Sequence, residues 1–325
     1  MNMSNYEVSA LYRMIKELIK DSKGSVTVLI AISAVAIIGF TSLVLDMGQL
    51  FLTKERLGNA LDAAVLAGAQ ELPDDPGSAV AKVQEYFTSH GMDLSALTST
   101  EVSADNKTIS ATAQTTVQYA LAKVLGINSA DAHCSAAARI EPITAVKGVV
   151  PVGIKKQELV FDQEYQLKIA SSNDLSEYLG PGNFGVLALS GFGSSSYEDD
   201  FKHGYDGTVK IGDVLETASG NKSGATRDGV NYRVGQCTHA CTPEHFDPSC
   251  PRLVVIPVYV PEDVQNGKVN SVRIVGFAAF LLSVPGGKLV GNESYVSGRY
   301  VQMTLFGDSD PGQDDYGAYS VRLVE

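Results

Sequence analysis

The chain has no tryptophan and only four cysteines in 325 residues, so it is not one of the small scaffolds held together by dense disulfides. Basic residues are also short. Lys and Arg total 25 against 37 Asp and Glu, a net charge of −12, which argues against the basic face that a phosphate backbone needs. Nucleic acid is therefore not expected as a partner. Charged residues make up only 19% of the chain against 44% hydrophobic ones, with 31 glycines, which excludes a disordered chain and implies packed, turn-rich domains.

Catalytic signatures are missing as well. GFGSSSY fails a Gly-x-Ser-x-Gly elbow at its last position. Residues 180–185 have the spacing of a dinucleotide loop, but 186–190 read as strand where a helix is required. The string 220–224 has Asn221 before Lys222 and lacks the opening glycine of a phosphate loop. No enzyme, catalytic residue or cofactor is expected. There is no LPxTG-type sorting string either.

One stretch lacks charge altogether. Residues 25–45, SVTVLIAISAVAIIGFTSLVL, contain no Asp, Glu, Lys or Arg. As a helix this run spans roughly 31 Å, the thickness of a bilayer core. Its hydroxyl residues are tolerable because each can bond a carbonyl of its own helix. Arg13, Lys16, Lys20 and Lys23 precede the run, whereas only Lys54 and Arg56 follow closely. The positive-inside rule then places the N-terminus in the cytoplasm and residues 46–325 outside the cell membrane. A cleaved secretory signal is the rival reading. Against it stand the long, mixed-charge leading segment and the length of the apolar run.

The apolar pattern does not stop at Leu45. Met47, Leu50, Phe51, Leu57, Leu61, Ala64, Val65 and Gly68 recur at three- and four-residue steps, predicting one helix over 25–71, roughly 70 Å long. Its stripe is expected to pack on the sheet that follows. Pro73 and Pro76 break it, Asp75 is placed to cap a second helix over 78–89, and 100–104 with 107–113 predict a hairpin through Asp105 and Asn106. A turn of helix over 119–125 and a third strand over 133–140 complete this part. A boundary is expected around Glu141 and Pro142.

Beyond it, strands are predicted over 149–154, 165–171, 184–189, 208–211, 252–260, 272–282, 300–306 and 319–324, with little helix. Pro257, inside an uncharged strand, predicts a bulge or an edge position. The fold class is α+β: a transmembrane helix running into a long helix with a small antiparallel sheet, then a mostly-β sandwich or barrel-like domain. The expected layout is a cytoplasmic segment (1–24), a transmembrane helix (25–45), an α+β domain (46–141), a linker (142–148) and an extracytoplasmic β-rich domain (149–325).

Lys23-Gly24-Ser25 before the apolar run, Asp46 at its exit, and Asn59, Asp62, Ala63 and Ala64 in the following helix resemble the TadE/TadG-like proteins of tight-adherence (Flp) pilus systems. The later half is similar to the second domain of some TadG-related proteins. The resemblance implies a pilin-like α+β domain and a non-enzymatic accessory or minor pilin-like component in surface adhesion. It implies partners in the bilayer through 25–45 and in other pilus-assembly or pilin-like membrane proteins through the 46–71 helix. It also marks Gly24 and Ser25 as a leader-processing site, with Leu29 where processed members carry Glu. The alternative is a tethered binding module for carbohydrate or cell-wall polymer.

Cys237, His239, Cys241, His245 and Cys250 gather five soft ligands in one short stretch. Their spacing matches no common zinc pattern, and zinc, a disulfide among Cys237, Cys241 and Cys250, and free thiols all stay open. Cys134 pairs with the leftover cysteine or stays reduced. Asp308, Asp310 and Asp314 have the carboxylate spacing of a calcium loop but lack its Glu at twelve, and a solvated acidic turn competes. Asp93-Leu-Ser95-Ala-Leu97 approaches the metal site of some TadG relatives but lacks the final Ser.

Overall fold

The computed structural model describes residues 25–168, 183–283, 289–290 and 295–324. Gly24 and the strand ends expected at 169–171 lie outside them. The chain divides into two compact units, one of Met1–Leu61, Phe87–Ser99 and Ala111–Ser135, the other of Asp62–Tyr86, Thr100–Ser110 and Ala136–Glu325.

Helix α1 runs unbroken over Ser25–Ala69, as the continuous stripe requires. Its beginning is bare. Leu29, Ile32, Val35, Phe40 and Leu43 are all more than half exposed, as are Phe51 and Leu52. Further on, Leu57, Leu61, Ala64 and Val65 are fully buried. Gly68 shows why the stripe is built from small residues. A Cβ there would meet Val83 Cγ2 at 2.7 Å and the Ala79 carbonyl at 2.8 Å. Helix α2 spans Pro76–Ser89, starting two residues earlier than expected, and Asp75 caps it as expected: its carboxylate accepts the Ser78 N–H at 2.8 Å and the Ser78 hydroxyl at 2.7 Å.

Strands β1 (Leu97–Val102) and β2 (Thr108–Gln118) flank a tight turn, where Ser103 N–H bonds the Thr108 carbonyl and Asn106 takes φ 54°. Strand β3 is longer than expected, Ser129–Val146. It runs through Pro142 into the segment read as a linker, because its second half is paired: Tyr319 lies opposite Pro142 and Val321 opposite Ile140. A strand near the C-terminus thus holds straight a stretch whose local sequence reads as a break.

The remaining strands are β4 (Ile154–Lys155), β5 (Glu164–Lys168), β6 (Asn183–Leu187), β7 (Val209–Lys210), β8 (Val214–Ser219), β9 (Leu253–Gln265), β10 (Lys268–Ser283), β11 (Val296–Val301), β12 (Met303–Thr304), β13 (Asp308–Ser309) and β14 (Ala318–Val324). One sheet has the order β1-β2-β3-β14-β12, with β7 and β13 on β3. The other has β4-β9-β10-β11-β5, with β8 bridging β10 and β6. The fold is α+β, a long apolar helix followed by mostly-β structure. Pro257 is not at an edge, since β9 lies between β4 and β10. A register shift falls close by, between Ile274 and Gly276 of β10, and bulges of this kind curl a sheet. Leu253 to Tyr259 are all buried, as their uncharged run requires.

Two helices interrupt the β-rich part where little helix was expected: α3 (Ser194–His203) and α4 (Ser223–Gln236). Neither advertises itself. In α3 only Tyr197 and Phe201, one turn apart, supply a buried apolar face, and α4 carries Gly224, Gly229 and Gly235. Tertiary contact decides both. Phe201 lies against Gly229, and Thr226 donates to Tyr197 Oη at 3.2 Å.

Candidate functional site

Asp46, one residue past the uncharged run, is almost fully buried at 2% exposure. Its carboxylate caps a distant piece of chain. One oxygen accepts the N–H of Ala120 at 2.8 Å. The other accepts Leu121 at 3.1 Å, Ala122 at 2.6 Å and the Ser42 hydroxyl at 3.0 Å. These amides open a 3-10 turn, Ala122–Leu125, whose own N-cap residue Leu121 lends no side-chain bond. A carboxylate from α1 therefore satisfies donors that would otherwise be orphaned. Burial pushes the Asp46 carboxyl up, but the hydrogen bonds from Ala120, Ala122, Ser42 and Leu121 outweigh it and hold it below the usual carboxylate range. Asp46 stands out in the sequence by its place at the helix exit; its acceptor role does not.

Three of the five soft-ligand candidates come together. The sulfurs of Cys237, Cys241 and Cys250 all lie within 4.8 Å of one another, Cys237 and Cys250 at 3.4 Å. Cys237 ends α4, its N–H bonding the Val234 carbonyl. Asp247 accepts the N–H and hydroxyl of Ser249, and its carbonyl takes the Cys250 N–H at 2.8 Å, which turns Cys250 inward. Cys241 and Cys250 are buried in an apolar cluster with Leu253, Leu281, Val301 and Met303. Burial pushes the Cys250 thiol up to about 12. Burial acts on Cys237 too, but hydrogen bonds from Cys250, Cys241 and Arg252 prevail and lower it. Arg252 is the residue the sequence did not single out. Its guanidinium is fixed by the Leu282 carbonyl at 2.8 and 3.1 Å and by the Cys241 carbonyl at 3.4 Å.

The side chains of the other candidates stand apart from this cluster, although the Cys237 thiol donates to the His239 carbonyl at 3.2 Å. His239 Nε2 faces Asp247 at 4.0 Å, and His245 closes a tight turn with Thr242 through its backbone. Cys134 donates to the Lys54 carbonyl of α1 at 3.4 Å. Each acidic candidate near the C-terminus has its own engagement. Asp308 pairs with Ala145 in the sheet, Asp310 caps its turn through the Gly312 N–H, and Asp314 binds Lys156 at 2.6 Å. Asp93 accepts the Ser95 N–H as a helix cap.

Residues 24–71 match the family model described as putative Flp pilus-assembly TadE/G-like. This segment, α1 with the turn that ends it, is therefore similar to TadE/G-like proteins, in agreement with the resemblance carried by Asp46, Asn59 and Asp62. No curated protein and no solved structure matches the chain.

Proposed function

We propose that the protein is a non-enzymatic, membrane-anchored component of a Flp-type pilus-assembly system, an accessory or minor pilin-like subunit acting in surface adhesion. One observation carries this reading. Helix α1 leaves its apolar first half uncovered yet buries Leu57, Leu61 and Val65. A single rigid element thus serves two solvents: lipid around 25–45 and the protein's own fold beyond. The TadE/G-like match over the same residues supports it. The charge asymmetry around the run supports a cytoplasmic N-terminus and extracytoplasmic residues 46–325.

The partner surface in this reading is narrower than the 46–71 helix. Residues 57–69 are largely covered within the chain, so contact with other pilus-assembly membrane proteins falls to the open face from Val26 to Leu52. A photo-crosslinker at Phe40 or Phe51 is expected to capture other membrane proteins of the system. A crosslinker at Leu57 should capture none, and equal capture at all three positions would count against this surface.

A second reading has its own observation. A groove of about 710 Å³ is lined by Phe161, Tyr300, Gln302, Asp315 and Tyr316, a mixture of aromatic and polar groups suited to a glycan or cell-wall polymer. Retention of the detergent-solubilised chain on envelope polysaccharide, lost on Phe161→Ala, would favour it.

A further inference from the structure

We propose that Cys237, Cys241 and Cys250 bind a zinc ion as three thiolates, with the fourth position open to water. A zinc–sulfur bond of about 2.3 Å in a tetrahedron sets sulfurs roughly 3.8 Å apart. The sulfurs here are all within 4.8 Å, one pair at 3.4 Å, so small rotations about the side-chain bonds admit the ion. A disulfide needs two of these sulfurs at about 2.05 Å and leaves the third thiol stranded against it in an apolar cluster. Three convergent sulfurs serve a metal better than a covalent bond between two.

Charge supports the same assignment. Three thiolates and one Zn²⁺ leave a net charge of −1. Arg252, tied down by the Leu282 and Cys241 carbonyls, supplies the matching positive charge. Soft thiolates also select zinc over the hard cations of the envelope. The ion enters as the thiol protons leave, with no change of oxidation state. Bound there, it clips the loop between Cys237 and Cys250 to the apolar cluster formed with Leu253 and Leu281, where few of the loop's own residues are apolar. This assignment is independent of any role in pilus assembly.

The test uses the full-length chain, extracted in detergent with an alkylating reagent present from lysis. Metal content and alkylation are read by mass spectrometry. The expected result is about one zinc per chain, with Cys237, Cys241 and Cys250 protected from alkylation until a chelator is added. Cys241→Ser should lose the zinc and Cys134→Ser should keep it. Cobalt exchanged into the unaltered chain should show sulfur-to-cobalt charge-transfer absorption, a readout that does not depend on any variant folding. A disulfide among the three cysteines, or a zinc-free chain whose three thiols alkylate without chelator, would overturn the assignment.

Discussion

Asp46 accepts the backbone N–H of Ala122 at 2.6 Å, joining the point where α1 leaves its uncharged run to a turn 76 residues further along. The same carboxylate takes the amides of Ala120 and Leu121, so one side chain holds the start of the 3-10 turn against the helix.

Asp46→Asn puts an NH₂ group opposite amide donors and should release that turn. Amides 120–126 are expected to exchange faster with deuterium, and trypsin to cut after Lys123 faster than in the parent chain. The folded-state pKa of Asp46 lies below its ordinary value. Its contribution is therefore complete above the usual carboxylate pKa of about 3.9 and fades as pH falls through the lower folded value. Protection should survive at pH 5 and weaken only in stronger acid. Unchanged exchange in the variant would remove Asp46 from this role.

Gly68 and Gly48 give a paired test of how tightly α1 is packed. Alanine at 68 drives a Cβ into Val83 and the Ala79 backbone and should cost about 1–3 kcal/mol in denaturant unfolding. Alanine at 48 meets nothing within 4 Å and should be neutral or stabilising by up to about 1 kcal/mol, the usual helix preference.

Arg233 is buried in α4, and its guanidinium donates to the carbonyls of Phe201, Pro251 and Leu253. Arg233→Met keeps the bulk but leaves those acceptors unmatched. A loss of about 2–4 kcal/mol is expected in the same unfolding assay.

Lys168 is 1% exposed, with its ammonium on Asn221 Oδ1 at 2.8 Å, and burial lowers its pKa to about 7. The unfolded chain then binds more protons than the folded one between pH 7 and about 10.4. Stability should rise with pH across that window, because the cost of a buried charge is present below it and relieved above it. Lys168→Met is expected to flatten the rise. A parallel pH profile in the variant would refute this.

What the sequence disclosed follows from how local each signal is. Helix α1 was legible in its unbroken stripe, α2 in Asp75 and the prolines, the first hairpin in Asp105-Asn106, and β9 in its uncharged run. Helices α3 and α4 were not, because Tyr197 and Phe201 alone give no periodicity and three glycines weaken α4. The continuation of β3 through Pro142 depends on Tyr319 and Ser320, far away in the chain. The soft-ligand group was visible as spacing. Which members meet was not, since the turns at Thr242 and Asp247 carry Cys241 and Cys250 inward while His239 stays exposed, facing Asp247.

We propose, centrally, that this chain is a membrane-anchored component that acts in Flp-type pilus assembly. Electron microscopy of the cell surface in a deletion strain, with and without the gene restored, tests it most directly. The account predicts loss of Flp-type filaments on deletion and their return on restoration. Intact filaments in the deletion strain would contradict it.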